Sequence, residues 1–259
     1  KVRSEESKSK AALDLNMAVI PEITVGSCDK PMPIIGMGTS PHPPLDLETA
    51  KAAILEAITA GYRHFDTAFG YQTEEHLAAA VPEAIRLGLI KSRDDLFITT
   101  KLFGIFADRD QVVPAIKMSL HSLLKKIVSV EMNPLWQQKE LREFCKKNGI
   151  HVSAYSPLGA SGTSWGDNRI FECDVLKKIA KAKGKTTAQV SLRWVYEQEV
   201  SLIVKSYNKE RMRENLQIFD WSLTEEESSL ISQLPQRKGF TFASIFGNHD
   251  VVLELDAGI

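Results

Sequence analysis

The segment Arg63–Glu75 reads R-H-F-D-T-A-F-G-Y-Q-T-E-E, placing an acid, Asp66, at the end of a strand and a phenol, Tyr71, in the loop that opens the next helix. A second strand, Leu96–Thr100, ends on an amine, Lys101. An acid beside the amine would keep it charged, and the amine beside the phenol would favour the phenolate. A tyrosine pKa of ~10 then moves towards working pH. Tyr71 could protonate a carbonyl oxygen as a hydride reaches the carbon. The plain alternative is an Asp66–Lys101 ion pair beside a surface tyrosine. Three such groups at consecutive strand ends favour a site, because α/β barrels carry theirs on that face.

Two further clusters could serve that chemistry. Lys205-Ser206-Tyr207-Asn208 leads directly into a helix containing Arg211, Glu214 and Asn215. Asn208 reads as its N-cap, so Arg211 falls in the first turn, where a cation opposes the helix dipole. A bound phosphate would resolve that conflict, held by the helix start and flanked by Lys205 and Arg211. A solvated basic helix start is the alternative. Tyr155-Ser156-Pro157-Leu158-Gly159 closes another strand, and Tyr155 there is either a stacking platform for a flat ring or a half-buried strand-end tyrosine. Gly36-Met37-Gly38 lacks the rest of a dinucleotide fingerprint. The six histidines stand at no ligand spacing with Cys or Asp, so no metal site is expected.

The elements that must position these residues alternate. A strand over Pro33–Thr39 precedes a helix capped by Asp46 and stopped by Gly61. The strand Tyr62–Ala68 is followed by a helix from about Glu74 to Leu87, with Pro82 inside it as a restart point or a cost of ~3 kcal/mol. After the strand ending at Lys101 come a helix over Gln111–Ile127, a strand over Val130–Asn133 and a helix over Gln138–Lys147. The strand His151–Ser156 precedes helices at Asp174–Lys183 and from Thr186 or Thr187 to Gln198. The strand Ser201–Lys205 leads to the helix Lys209–Phe219 and to a last helix opened by the capping box Thr224–Glu227. Strands without period-two polarity, alternating with helices, predict a parallel sheet wrapped by helices. One junction has no turn. Leu124-Lys125-Lys126-Ile127 runs straight into Val128-Ser129-Val130, whereas such connections usually take ~2–6 residues. Six barrel-type strands are countable, and closure takes eight.

Composition bounds the reading. A chain of 259 residues, 43% hydrophobic and 25% charged, suits one α/β barrel. A net charge of -1 without a basic stripe excludes a nucleic-acid partner. The apolar runs fall short of the ~20 residues that span a bilayer, so no membrane partner is expected. Cys28, Cys145 and Cys173 are odd in number and scattered, as suits a reducing cytoplasm. Residues 1–16 are polar and read as a solvated extension ahead of a single domain over 17–259.

With these residues laid out, the chain resembles the aldo-keto reductases, most closely the plant branch of chalcone reductase, codeinone reductase and deoxymugineic acid synthase. The matches are G-Y-R-H-F-D-T-A (Gly61–Ala68), L-F-I-T-T-K-L (Leu96–Leu102), V-E-M-N-P-L-W-Q-Q (Val130–Gln138), A-Y-S-P-L-G (Ala154–Gly159), L-R-W-V-Y-E-Q (Leu192–Gln198) and K-S-Y-N-K-E-R-M-R-E-N-L (Lys205–Leu216). They cover about Pro31 to Lys238 in the family's order. The resemblance implies a TIM-type (α/β)8 barrel that reduces aldehydes or ketones with NADPH, as a monomer, under a C-terminal tail that shapes the substrate pocket. It makes Tyr71 the acid, Lys101 and Asp66 its tuners, and Tyr155 the nicotinamide platform. It gives Lys205, Ser206, Asn208 and Arg211 to the 2′-phosphate side, Glu214 and Asn215 to adenine, and counts Tyr207 among the cofactor-binding residues. Ser156, Leu158 and Gly159 line the pyrophosphate, and Thr39 and Ser40 adjoin ribose and nicotinamide. Two departures stand out. Between Ile127 and Val128 the family has two further strand–helix units, which carry the active-site histidine and a Ser-Asn pair. Ser129 stands where the family has a carboxamide-binding glutamine. A reductase of a plant-type secondary metabolite is the main expectation, and a catalytically silent NADP(H)-binding protein is the alternative.

Overall fold

A short antiparallel pair, β1 (Glu22–Ile23) with β2 (Met32–Pro33), comes first among the described residues; β1 was not predicted, and β2 takes up the first residue of the expected strand Pro33–Thr39. The computed structural model describes residues 19–25, 30–41, 43–68, 71–100, 127–163 and 166–237. Lys101, the predicted helix as far as residue 126, the extension 1–16 and the tail after Gly239 lie outside them.

Six strands make one parallel sheet: β3 (Ile35–Gly38), β4 (His64–Asp66), β5 (Phe97–Thr99), β6 (Ile127–Glu131), β7 (His151–Tyr155) and β8 (Ser201–Val204). Their spatial order is β5-β4-β3-β8-β7-β6. The first strand of this sheet therefore lies beside the last, Met37 opposite Val204. Chain order runs as a circle opened only between β5 and β6. Among the described residues that is a partial (α/β)8 barrel, six strands of eight, opened at the place where the sequence lacks a turn.

The joint itself differs from expectation. Ile127 is not the end of a helix but the first residue of β6, and Ile127 and Val128 face His151 and Val152 in register. The β-branched run Ile127-Val128 favours a strand, and the ladder ends at Glu131, two residues before the predicted limit. Asn133 then closes a turn with Trp136.

The helices follow their sequence signals closely. In α1 (Leu47–Ala60) the Asp46 carboxylate caps Thr49 N–H at 2.9 Å, and Gly61 ends the helix at φ 112°. In α2 (Glu74–Arg86) the chain continues through Pro82 without restarting. Ala78, whose carbonyl loses its helical partner, is exposed, so water can serve it. Next come α3 (Lys139–Lys147), the unpredicted turn α4 (Arg169–Glu172), α5 (Asp174–Lys183), α6 (Thr187–Glu197), α7 (Lys209–Leu216) and α8 (Glu225–Ser232). Both α6 and α8 begin with a complete capping box, Thr186 with Gln189 and Thr224 with Glu227. The core lies between sheet and helices, where Ile35, Phe65, Leu96 and Leu202 meet Ile54, Ile58, Leu192 and Val195.

Candidate active site

Because the strands are parallel, their C-terminal ends share one rim. Gly38 pairs with Asp66 and Asp66 with Thr99, so the residues just beyond β3, β4 and β5 adjoin. Asp66 is buried at 9% exposure, while Tyr71 stands out at 40% in a turn anchored by its N–H to Ala68 O at 3.0 Å. The predicted partner of both, Lys101, follows Thr100 directly and lies outside the described residues.

Threonines hold this corner together. Thr39 donates N–H and Oγ1 to Asp66 O at 3.0 and 3.1 Å. Its Oγ1 also meets Thr73 Oγ1 at 2.8 Å, and Thr73 Oγ1 meets Thr67 Oγ1 at 2.8 Å. Ser40, next to Thr39, is half-buried on the same rim.

Tyr155 closes β7 with 36% of its surface exposed, directly opposite Glu131 in β6. Burial pushes its phenol up, with further upward contributions from the Glu131 carboxylate and from Tyr71. The loop after Tyr155 is fixed by its backbone. Ser156 takes φ 50°, a conformation costly for a residue other than glycine. Gly159 takes φ 76° and donates to Ser156 O at 3.0 Å. Ser191 in α6 anchors the turn by donating to Pro157 O at 2.6 Å. Leu158 packs partly buried against the core.

Beyond β8, Asn208 caps α7 as predicted, its Oδ1 accepting from Arg211 N–H at 2.9 Å. Ser206 is buried and accepts Asn208 N–H at 3.2 Å. Lys209 and Arg213 both reach back to Glu56 on α1, at 3.0 and 3.3 Å. Lys205 and Arg211 have no carboxylate partner among the described residues, and burial pushes the Lys205 amine down although much of the residue is exposed. Tyr207 donates Oη to Thr39 O at 2.9 Å, and its burial pushes the phenol up to about 12. Glu214 is half-exposed, with its carbonyl accepting from Gln189. Asn215 is 4% exposed and turns to the Tyr62 hydroxyl in the core.

The structure therefore gathers Asp66, Tyr71, Thr39, Ser40 and Tyr155 on one rim and places the 205–211 loop beside them across the β3–β8 pair. Asn215 faces inward. Two contributors escaped the sequence reading. Glu131 gave the same signal as Asp66, an acid closing a strand, and Thr73 was hidden as an ordinary helix-start threonine.

The aldo/keto reductase family model matches residues 34–127 and 123–235, two pieces that meet at the joint. The chain belongs to the aldo/keto reductase family. D-galacturonate reductase of Fragaria ananassa is 49% identical over 316 residues, covering 93% of this chain and 99% of that protein. That alignment is longer than the 259-residue chain, so part of the relative has no counterpart here. Deoxymugineic acid synthase 1 of Zea mays is 40% identical over 280 residues, 80% of this chain and 89% of the relative. An aldo-keto reductase of Bombyx mori, solved in complex with NADP, superposes with a TM-score of 0.73 at 27% identity, covering 86% of this chain and 96% of that one. The interruption of the family match coincides with the opening between β5 and β6.

Proposed function

We propose that this chain reduces a ketone or aldehyde of a plant-type secondary metabolite to the alcohol with NADPH, Tyr71 giving the proton. The observation that carries the reading is the seam between β3 and β8. There Tyr207 Oη on the phosphate loop donates to Thr39 O, and Thr39 in turn bonds to Asp66 O. A cofactor loop and an acid loop are joined by two residues. The residues fit a phosphorylated dinucleotide: Lys205 and Arg211 offer two cations with no carboxylate partner among the described residues, Asn208 leaves a capped helix start, and Tyr155 presents a ring face. When bound, NADPH supplies the hydride that reduces the carbonyl carbon.

The chain's own residues do the rest. Tyr155 orients the flat ring from one side, with Ser156, Leu158 and Gly159 lining its approach and Ser40 beside Thr39. Tyr71 delivers its proton to the carbonyl oxygen, leaving a phenolate that Lys101 would stabilise and that solvent reprotonates. Asp66 keeps Lys101 charged. The substrate is a small molecule, and the enzyme works as a cytoplasmic monomer. Among the described residues no helix is long and apolar enough to cross a membrane.

A second reading has one observation in its favour. The family match breaks at the joint, where the units carrying the histidine would lie. On that reading the chain binds NADP(H) and is catalytically silent. NADPH oxidation with a generic aldehyde, wild type against Tyr71→Phe, separates the two. Turnover that collapses in the variant supports the reductase. Wild type that binds NADPH yet turns over no faster than the variant refutes it. An intact-mass measurement on protein from its native source fixes whether residues stand between Ile127 and Val128.

A further inference from the structure

We infer that Thr73 is the positioning residue that sets Tyr71 and Asp66 in register, through a buried chain of three threonine hydroxyls; the inference rests on the role proposed for Tyr71. Thr39, Thr67 and Thr73 are 2%, 2% and 1% exposed, so their hydroxyls must find partners within the protein. Each hydroxyl has one proton to give. Thr39 gives its proton to Asp66 O at 3.1 Å, so in the 2.8 Å contact with Thr73 it can only accept. Thr73 has then given its own, and in its 2.8 Å contact with Thr67 it must accept. With Thr39 donating to Asp66 O, the order consistent with both contacts runs Thr67 to Thr73 to Thr39 to the carbonyl of Asp66.

The geometry singles out Thr73 within that chain. It occupies the N-cap position of α2, yet its side chain caps no helix N–H. A threonine in that position ordinarily bonds the N–H two or three residues on. Here the hydroxyl bridges the end of β3 and the residue after β4 instead. Between Tyr71 and this anchor lies Gln72, held at φ 54°. Such a backbone persists only where its neighbours over-determine it. The anchor on one side is Thr73, and on the other the Tyr71 N–H bond to Ala68 O. Removing the Thr73 hydroxyl would free Gln72 to relax, and Tyr71 would move with it.

The test compares Thr73→Val, which keeps the shape, with Thr73→Ser, which keeps the hydroxyl. In wild type, Val and Ser proteins, kcat and KM for a generic aldehyde and the NADPH affinity are measured together. Thr73→Val should lower kcat by about 10-fold or more, the scale set by misplacing a reacting group. NADPH affinity should change by less than about 2-fold, and Thr73→Ser should recover most of the loss. A Val variant with wild-type kcat, or a Ser variant as impaired as Val, overturns the inference. If Tyr71→Phe leaves wild-type turnover unchanged, the reductase reading has failed and hydrogen exchange of the Tyr71 amide decides the inference. Faster exchange in Thr73→Val, restored in Thr73→Ser, supports the anchor, and unchanged exchange overturns it.

Discussion

Replacing Arg211 by alanine tests the phosphate loop, and its expected size follows from which cations are already satisfied. Four cations surround the start of α7: Lys205, Lys209, Arg211 and Arg213. Two of them, Lys209 and Arg213, share Glu56 at 3.0 and 3.3 Å, and neither Lys205 nor Arg211 has a carboxylate among the described residues. A hydrogen bond to a charged group contributes ~1.5–3 kcal/mol, and an exposed arginine keeps part of that, about 1–2 kcal/mol after screening. At ~1.4 kcal/mol per factor of ten, Arg211→Ala should weaken NADPH binding about 5- to 30-fold. NADH, without the 2′-phosphate, should lose less than about 2-fold, and Arg213→Ala should leave NADPH nearly unchanged because its partner is Glu56. Fluorescence titrations at low and high salt measure all three, and the Arg211 effect should shrink as salt rises. Equal losses for NADH and NADPH would refute the assignment. So would an Arg213→Ala loss as large as that of Arg211→Ala.

Two further outcomes concern the scaffold. A Cβ on Gly36 would lie 2.7 Å from Ile203 Cδ1 and 2.8 Å from His64 Nδ1, so Gly36→Ala should cost about 1–3 kcal/mol, read as a lower denaturant midpoint at unchanged slope. His151 is held neutral by burial, with Nε2 accepting Ser201 N–H at 3.4 Å; its folded pKa lies below the unfolded value, so its contribution is present above about 6.5 and is lost as pH falls from there towards the folded pKa. Urea midpoints between pH 7.5 and pH 5 should fall in wild type and fall less in His151→Gln, and parallel pH profiles would refute the role.

Most helices were legible because their ends are written in local chemistry. Asp46 and Gly61 bracket α1, Asn208 starts α7, and Thr224 with Glu227 starts α8, each within hydrogen-bond reach of its own backbone. Asp66, Tyr155 and the 205–211 loop could be placed together for a related reason: all stand at the C-terminal ends of parallel strands, which share one rim. What escaped detection is non-local. Thr73 bonds Thr39 across 34 residues, and nothing in its neighbourhood separates a bridging hydroxyl from a capping one. The β1–β2 pair has two residues in each strand, too few for a pattern to register. Asn215, which the resemblance gives to adenine, is buried, and its side chain bonds to the Tyr62 phenol, a partner 153 residues away that no local pattern announces.

The opening in the sheet bears unequally on the two parts of the site. Strand order puts β3 beside β8, so the acid loop and the phosphate loop meet at a seam that is complete in this chain. The opening lies between β5 and β6, as far from that seam as the circle of strands allows. Everything assigned to the phosphate end of the cofactor stands on β7, β8 and α7, which are packed against α1 and α6 and bonded through Tyr207 and Gln189. The residues nearest the opening are Thr100 on one side and Glu131 on the other, flanking Tyr71 and Tyr155. If two strands are missing there, the space proposed for the carbonyl loses a wall, while the residues proposed to hold the cofactor keep their supports. Cofactor affinity should therefore be the robust property of this chain, and turnover the fragile one.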